Sequence, residues 1–220
     1  MARCVLDALA PRRCAGCGCP APADVCEACV ELSLSLPQPP RRHAPWGAAH
    51  AALPFEPPVR SIVHHAKYRG RRGAAALLGS LVVERLWLTL LAGGSAPPPG
   101  LLVVPVPLGS RRRRARGYNQ AALLARALAR QAGAPLAAES EAVRLRETAP
   151  QVGRRGEERR ANVAGAFAWR GPPLHGRPIW LVDDVVTTGA TIGALATVMQ
   201  QAGASRIEGV AAAMVSARRA

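Results

Sequence analysis

Two adjacent carboxylates in the C-terminal part of the chain stand between an apolar run and a small-residue turn. Asp183 and Asp184 follow the apolar residues 179–182, and the segment 187–191 (TTGAT) comes shortly after them. A continuous apolar run is typical of a buried parallel strand, and open α/β sheets bind ligands just outside the carboxyl ends of their strands. The sequence therefore predicts that both carboxylates border a ligand site, where they can accept hydrogen bonds from a vicinal diol.

The turn after the carboxylates has the composition of a phosphate-binding loop. Backbone N–H groups of residues 186–191 can surround a phosphate, together with the N-terminus of a predicted helix over 192–202. Gly189 permits a close backbone approach, and the threonine hydroxyls can donate hydrogen bonds. The alternative is an ordinary strand–turn–helix with a polar edge, which two adjacent aspartates alone would not exclude.

This segment resembles the phosphoribosyl-pyrophosphate (PRPP) motif of type I phosphoribosyltransferases, in which apolar residues precede two acids and T-T-G-x-T. The resemblance implies that the acids hold the ribose 2′- and 3′-hydroxyls and that the loop takes the 5′-phosphate. It places the pyrophosphate loop after a predicted strand over 101–104. The implied PRPP-binding residues are Val104, Pro105, Val106, Pro107, Asp183, Asp184, Val185, Val186, Thr187, Thr188, Gly189, Ala190 and Thr191.

Five of the six cysteines lie within sixteen residues near the N-terminus. Two CxxC pairs separated by eight residues can close a tetrahedral zinc site, and four protein ligands make such a zinc structural. The predicted ligands are Cys14, Cys17, Cys26 and Cys29. A redox dithiol is the alternative for one CxxC pair. Cys19 could substitute for Cys17, and Cys4 is too remote in sequence to assign.

The charge of the chain favours polyanionic partners. The 220 residues carry a formal net charge of +15 with a sequence pI of about 11.4, which suits nucleic acid, phosphorylated substrates or both. Compositional drift in an Ala-, Arg-, Gly- and Pro-rich chain is the alternative. Lys67 is the single lysine beside 28 arginines, and it is a candidate for a site that needs a compact ammonium, although chance also explains it.

The predicted elements alternate between strands and helices. Strands are expected over 48–53, 101–104, within 135–144, and over 166–169, 179–182 and 207–215, and helices over 59–67, 74–91, 121–131 and 192–202. No apolar run reaches the ~18 residues that span a bilayer, because Glu84 and Arg85 interrupt 77–92. The N-terminus lacks a cleavable signal pattern, so we expect a cytoplasmic protein.

The order of these motifs resembles that of the ComF family, bacterial phosphoribosyltransferase-like proteins tied to natural competence and DNA uptake. Besides the cysteine pairs and the PRPP-like segment, the shared motifs are 65–70 (HAKYRG), 104–107 (VPVP), 116–120 (RGYNQ), 148–151 (TAPQ) and 159–163 (RRANV). The resemblance covers nearly the whole chain, and the arginine run 111–114 departs from it. It implies a type I phosphoribosyltransferase fold, a mainly parallel α/β sheet flanked by helices, over 48–220. A zinc ribbon over 1–36 and a linker over 37–47 would precede it.

The same resemblance implies displacement of pyrophosphate from C1 of PRPP through an oxocarbenium-like transition state. Departing pyrophosphate is strongly anionic, so catalysis needs cations and backbone donors directed at it, and Mg²⁺ would bridge pyrophosphate and ribose oxygens. The implied catalytic residues are Asp183, Asp184, Lys67 and Arg116. Residues 147–162, predicted to be a mobile loop, would either close over the site or remain a solvated charged loop. No residue identifies the acceptor as a purine, a pyrimidine or an amine.

Two functions of different class remain open. One is an enzyme that uses PRPP, and the other is a non-catalytic competence factor that binds single-stranded DNA and retains the fold. The acid pair favours ribose binding, and the net charge favours DNA, where Tyr118 and Trp169 are the candidate base-stacking aromatics. Other competence or DNA-uptake proteins are possible partners. A regulator of the purine-repressor type ranks third, because no helix-turn-helix pattern precedes the core.

Overall fold

The chain folds around a mostly parallel sheet with helices on both faces. The computed structural model describes residues 12–68, 70–91, 96–146, 163 and 165–216. Its strands are β1 (Arg42–Ala44), β2 (Gly47–Pro54), β3 (Leu102–Pro105), β4 (Ala142–Arg144), β5 (Phe167–Trp169), β6 (Pro178–Val186) and β7 (Arg206–Met214). Its helices are α1 (Glu27–Ser35), α2 (Val59–Tyr68), α3 (Arg72–Leu90), α4 (Ser110–Arg116), α5 (Gln120–Ala132) and α6 (Ala190–Gln201).

The main sheet has the strand order β1-β2-β7-β6-β3. Strands β2, β7, β6 and β3 run parallel, and the edge strand β1 pairs antiparallel with β2. Strands β4 and β5 form a separate antiparallel pair. The predicted mainly parallel α/β sheet flanked by helices is confirmed, and it brings the carboxyl ends of β3 and β6 side by side.

Strand β6 is buried on both faces because its apolar side chains alternate between two cores. Trp180 and Val182 belong to the cluster that includes α3 and α5, whereas Ile179 and Leu181 belong to the cluster beneath α6. The alternation follows from the two-residue period of a strand. Burial on both sides explains why the sequence shows a continuous apolar run rather than an alternating one.

The predicted end of this strand at Val182 is wrong, because β6 continues to Val186. Asp183 is in register with Ala211 of β7, and Val186 is in register with Met214. Strand pairing is made by backbone hydrogen bonds, so β6 can continue through polar residues at its carboxyl end. The carboxylates therefore project from the last residues of the strand itself and share its rigidity.

Regular structure also occurs where no element was predicted. The predicted linker over 37–47 includes β1, and the arginine run, to which no element was assigned, forms α4, capped by Gly117 in the left-handed conformation (φ 76°). Other predictions lie outside the described residues: the loop 147–162, the motif 148–151, most of the motif 159–163, and Cys4.

The cysteine-rich segment packs against the helices that lead to the sheet. Cys14, Ala15 and Cys29 share a buried cluster with Ile62 of α2 and Leu78 of α3. The Ala74 amide at the start of α3 donates to the Asp24 carboxylate at 3.2 Å, and the Arg71 guanidinium donates to the Arg13 carbonyl. The boundary between ribbon and core stays a prediction, since both segments contribute to one core.

Candidate functional site

A cleft of about 600 Å³ opens at the carboxyl ends of β3 and β6. Its walls come from the end of α2, the segment after β3, helix α4, the start of α5, and the turn between β6 and α6. The predicted site residues that line it are Lys67, Val106, Pro107, Arg116, Asp183, Asp184, Val185, Val186, Thr187, Gly189, Ala190 and Thr191. The sheet topology brings these distant segments together, as expected for an open α/β fold.

Three predicted site residues do not line the cleft. Val104 and Pro105 are buried in β3, where Val104 packs in the core beneath α6 and Pro105 is in register with Val182. Thr188 is exposed, and its hydroxyl accepts a hydrogen bond from the Ala190 amide at 3.3 Å. These three residues therefore do not form the surface of the cleft.

The carboxylates at the end of β6 are tied to the lysine at the end of α2. The Lys67 ammonium lies 2.8 Å from Asp184 Oδ1, and both side chains are partly buried. The Asp184 amide donates to Asp183 Oδ1 at 2.8 Å, which orients the first carboxylate. The structure thus brings together three predicted catalytic residues from segments more than a hundred positions apart.

The two aspartates have different electrostatic environments. Burial, followed by the negative charge of Asp184, raises the pKa of the Asp183 carboxyl to about 7, and the Lys67 ammonium only partly opposes the shift. Asp183 is nevertheless partly accessible from the cleft. Near neutral pH, the Asp183 carboxyl can therefore donate a hydrogen bond when it is protonated and accept one when it is ionised.

The loop between β6 and α6 presents backbone to the cleft. Gly189 immediately precedes α6 with φ 79°, a conformation that L side chains rarely adopt. A Cβ built there meets no atom within 4 Å, so backbone conformation rather than crowding by protein favours glycine. The N-terminus of the twelve-residue helix α6 adds its positive dipole end to this loop.

Arg42 of β1 supports the same loop from behind. Its guanidinium donates to the Thr187 carbonyl, and also to the Val215 carbonyl at 2.8 Å. One side chain therefore joins the ends of β6 and β7. Sequence reasoning missed this role because Arg42 lies in the segment predicted to be a linker, 145 positions from Thr187.

The RGYNQ motif connects the end of α2 to the segment after β3. The Tyr118 hydroxyl and the Gln120 amide both donate to the Ala66 carbonyl, at 2.6 and 3.2 Å. The Asn119 side chain donates to the Val106 carbonyl at 3.0 Å and caps α5 by accepting from its first turn. Three buried side chains of the motif therefore fix the peptide next to Lys67 and the predicted pyrophosphate loop.

Arg116, the first residue of that motif, lies at the rim of the cleft. Its guanidinium donates to the Gln120 side-chain carbonyl at 3.1 Å and lies 4.9 Å from the centre of the Tyr68 ring. Arg112 of α4 and Arg144 of β4 also line the cleft. Neither was predicted as a site residue, because nothing near them in sequence marks them as different from the other arginines.

The predicted base-stacking aromatics do not occupy the cleft. Tyr118 is buried, and its hydroxyl is engaged by the Ala66 carbonyl. Trp169 lies in β5, and its indole N–H donates to the Pro172 carbonyl at 2.8 Å. The expectation that Tyr118 stacks on bases is therefore wrong for this conformation, because its ring is buried. Trp169 is partly exposed outside the residues that line the cleft, and its stacking on DNA stays a prediction.

The four predicted cysteine ligands form one cluster. A single Sγ from each of Cys14, Cys17, Cys26 and Cys29 lies within 4.8 Å of the others, and four such thiols could hold a metal ion. Burial opposes ionisation of the Cys14 thiol, but hydrogen bonds from backbone amides, that of Cys26 foremost, lower its pKa to about 6. The thiolate is the form of cysteine that binds metals, so a lowered pKa favours ligation by Cys14.

Cys19 lies beside this cluster. Its Sγ is 3.1 Å from Cys17 Sγ, and Cys17 Sγ is 3.7 Å from Cys26 Sγ. The fifth cysteine is therefore close enough to compete with Cys17, as the spacing of the sequence suggested.

No helix within the described residues is long and apolar enough to cross a membrane. A scan against protein-family models gives no match. A structure search finds the Thermus thermophilus protein TT1426, with a TM-score of 0.37, 19% identity, and coverage of 66% of this chain and 85% of that one. A similarity this low contributes no argument about function.

Curated proteins give a clearer relationship. The chain is 33% identical over 198 residues to the DNA utilization protein YhgH of Salmonella typhi, an alignment that covers 89% of this chain and 81% of YhgH. It is 36% identical over 108 residues to Competence protein F of Haemophilus influenzae, covering 48% of this chain and 47% of that protein. Together with the shared motifs, these similarities show that the chain belongs to the ComF family.

Proposed function

We propose that the cleft binds PRPP or a related phosphoribosyl ligand, and that the protein serves DNA utilisation or uptake. The observation that supports this most strongly is the convergence of Asp183, Asp184, Lys67 and the glycine-containing loop 187–191 on one cleft. Phosphate alone would leave the hydrogen-bond acceptors of the two acids without donors. A ligand that combines a diol with phosphates satisfies both the acids and the cations.

The two ends of such a ligand are recognised by different groups. Backbone amides of the cleft-lining loop residues Thr187, Gly189 and Thr191, with the N-terminus of α6, suit a monoester phosphate. Asp183 and Asp184 suit the ribose hydroxyls, because a carboxylate accepts strong hydrogen bonds from a diol. The aspartates at the end of β6 precede the loop and α6 directly, so the ribose and its 5′-phosphate would be bound by consecutive segments.

The diphosphate end would meet the cations of the cleft. Lys67 and Arg116 line the cleft together with Val106 and Pro107, the start of the predicted pyrophosphate loop. The carboxylates offer the oxygen ligands that Mg²⁺ prefers, and a bound Mg²⁺ would neutralise part of the diphosphate charge. Fixed cations next to a leaving pyrophosphate stabilise the charge that develops on it.

Phosphoribosyl transfer is the enzymatic form of this proposal. The C1–O bond to pyrophosphate breaks, its electron pair leaves with pyrophosphate, and a lone pair of the acceptor forms the new bond to C1. Lys67 and Arg116 would stabilise the departing anion. Asp183 and Asp184 would orient the ribose through its hydroxyls.

Binding of single-stranded DNA is a second candidate function, and the composition of helix α4 supports it. Helix α4 carries five arginines in seven residues, and those at positions 111, 113 and 114 are exposed. Arg112 and Arg116 of the same helix line the cleft. The names of the relatives, DNA utilization protein and Competence protein F, agree with a DNA-related role. PRPP binding and DNA binding are compatible, because they use different faces of α4.

A structural zinc ion is proposed for the cysteine cluster. Four thiols within 4.8 Å of one another fit a closed tetrahedral site. Such an ion would link the loop that carries Cys14 and Cys17 to the start of α1. Helix α1 buries only Cys29 and Ser33, so the ion would add a constraint that the core does not supply.

Calorimetric titration of PRPP, with and without Mg²⁺, tests the main proposal. Saturable binding that Mg²⁺ strengthens is expected for the wild-type protein, and Asp184→Asn should weaken it. Glu84→Gln is the matched control, because it removes one carboxylate from an exposed position on α3. Absence of PRPP binding at millimolar ligand with Mg²⁺ would refute the proposal.

A further inference from the structure

An exposed aromatic ring stands at the rim of the cleft. Tyr68 is the last residue of α2, follows Lys67 directly, lines the cleft and is 63% exposed. The chain has two tyrosines, and the other, Tyr118, is buried with its hydroxyl bonded. Tyr68 thus leaves most of its surface exposed to solvent beside the cleft, although the chain is only 4% aromatic.

Cationic and aromatic groups surround this ring. The Arg116 guanidinium carbon lies 4.9 Å from the ring centre, and the His64 ring centre lies 4.8 Å away with an interplanar angle of 44°. Aromatic and guanidinium planes both stack on planar heterocycles, and Arg116 can also bond to phosphate. A ligand that carries a base and a phosphate would find both kinds of partner here.

We propose that Tyr68 is a stacking platform for a nucleobase at the rim of the cleft. The inference rests on the proposed function for its sugar–phosphate part: Asp183 and Asp184 would hold the ribose, while Tyr68 would contact a base outside the groups that bind it. The platform assigns a chemical class, a planar heterocycle, to a ligand that no sequence motif identifies.

Two sources could supply that base. One is a mononucleotide or free base that enters the PRPP-binding cleft, and the other is a base of single-stranded DNA that runs along the arginines of α4. Both use the same stacking chemistry, and they differ in how binding depends on salt, since a DNA strand releases counterions along its length.

The experiment compares ligands with and without a base in three proteins. Wild type, Tyr68→Ala and Tyr68→Phe are titrated with ribose 5-phosphate, AMP and CMP by calorimetry, and with labelled oligo(dT) and an abasic oligonucleotide by fluorescence anisotropy. Tyr68→Phe keeps the stacking face and removes only the hydroxyl. PRPP affinity is measured in parallel, because it reports whether Arg116 still lies in place after its neighbour is truncated.

A base-bearing ligand should bind the wild type about fivefold or more tightly than its base-free counterpart. Tyr68→Ala should abolish that ratio, and Tyr68→Phe should preserve it. A ratio seen with AMP or CMP identifies a nucleotide in the cleft, whereas a ratio seen only with oligo(dT) identifies the DNA strand.

The failures are distinguishable. Equal affinities for base-bearing and base-free ligands in the wild type, with PRPP still bound, would overturn the platform and leave the proposed function standing. Loss of the ratio in Tyr68→Phe as well would also overturn stacking, because a hydroxyl contact would then explain it. A Tyr68-dependent preference for oligo(dT) without PRPP binding would support the platform and refute the PRPP proposal.

Discussion

The Lys67 ammonium lies 2.8 Å from Asp184 Oδ1, so the single lysine of the chain contacts one of its two adjacent aspartates. The pair joins the end of α2 to the end of β6, two elements far apart in the sequence. The charge of Lys67 also lowers the pKa of Asp183, but burial and the charge of Asp184 outweigh it, so that pKa stays raised. The lysine is therefore placed to pair with Asp184 and to meet an anionic ligand in the same cleft.

Replacement of Lys67 should weaken PRPP binding more than ribose 5-phosphate binding. Lys67→Met removes a cation proposed to face the diphosphate, and a charge-assisted hydrogen bond is worth roughly 1.5–3 kcal/mol, so a ~10- to 100-fold loss is expected for PRPP. Lys67→Arg keeps the charge and should lose less. Calorimetry with both ligands measures the difference, and an equal loss for the two would contradict a diphosphate role.

The raised pKa of Asp183 predicts a pH dependence of both stability and binding. Between its ordinary value of 3.8 and about 7, the folded protein holds this proton more tightly than the unfolded chain does. Folding stability contributed by Asp183 therefore falls as pH rises through that range and levels off above it. Asp183→Asn should remove this part of the dependence, which denaturant unfolding at pH 5, 6, 7 and 8 measures.

Binding should change in the opposite direction with pH. The ionised carboxylate accepts hydrogen bonds from ribose hydroxyls better than the neutral acid, so PRPP affinity should rise from pH 6 to pH 8. Asp183→Asn should flatten that rise and weaken binding by ~10- to 100-fold at pH 8. A wild-type affinity that is constant across this range would contradict the assigned role of Asp183.

Tyr118→Phe tests whether the RGYNQ motif positions Lys67. The substitution keeps the ring, over which the Arg72 guanidinium lies at 5.3 Å, and removes only the hydroxyl that donates to the Ala66 carbonyl. Loss of one buried hydrogen bond should cost about 0.5–1.5 kcal/mol of stability. If the motif positions Lys67, PRPP affinity falls severalfold while ribose 5-phosphate affinity changes little; a purely structural role would lower thermal stability without separating the two ligands.

The parts of the site that the sequence predicted are those encoded by adjacent residues. Asp183, Asp184 and the loop through Gly189 form one continuous segment, so a single buried strand fixes their position relative to the sheet. Lys67 was a candidate because it is the single lysine, and RGYNQ because of a family resemblance. The structure adds the contact that relates them, the shared Ala66 carbonyl.

The parts that the sequence did not predict depend on contacts between distant segments. Arg42 supports the loop at Thr187 only because β1 pairs with β2 at the sheet edge, and nothing local predicts a strand among the prolines before it. Arg144 reaches the cleft from the β4–β5 pair. Tyr68 and Tyr118 have the same side chain, and only packing decides that one is exposed and the other is buried.

Removal of the proposed zinc should destabilise more than the N-terminal segment. Cys14, Ala15 and Cys29 share a core with α2 and α3, and Arg71, which follows the cleft residue Gly70, contacts the Arg13 carbonyl. Purified protein should contain about one zinc per chain, and chelation should lower the unfolding midpoint and weaken PRPP binding. Metal analysis, thermal unfolding and calorimetry on the full chain measure these effects.

Cysteine variants identify the ligands. Cys17→Ser should lose zinc, whereas Cys19→Ser, a matched change whose Sγ lies 3.1 Å from Cys17 Sγ, should retain it. The reverse result would show that Cys19, and not Cys17, is the fourth zinc ligand. Zinc well below one equivalent in wild-type protein with intact thiols would contradict a metal site.

Helix α4 provides the test of DNA binding. Arg111 and Arg114 are exposed on it, and binding through phosphates adds about 0.7 to the slope of log K against log salt for each phosphate neutralised on a single strand. The double replacement Arg111→Ala with Arg114→Ala should flatten the slope by roughly 1 to 1.5 units. Arg113 is left in place because it pairs with Glu139, and Arg112 because it lines the cleft.

The matched control removes two exposed arginines from α5, Arg126→Ala with Arg130→Ala, and thus changes the net charge equally. Fluorescence anisotropy of a labelled oligonucleotide across a salt series measures both variants, and calorimetry with PRPP measures the cleft. If DNA binds along α4, the salt slope should change more in the α4 variant than in the α5 variant, and PRPP affinity should be retained. Equal slopes in the two variants would show that overall charge, rather than this helix, attracts DNA. No binding by the wild type at low salt would exclude DNA as a direct partner.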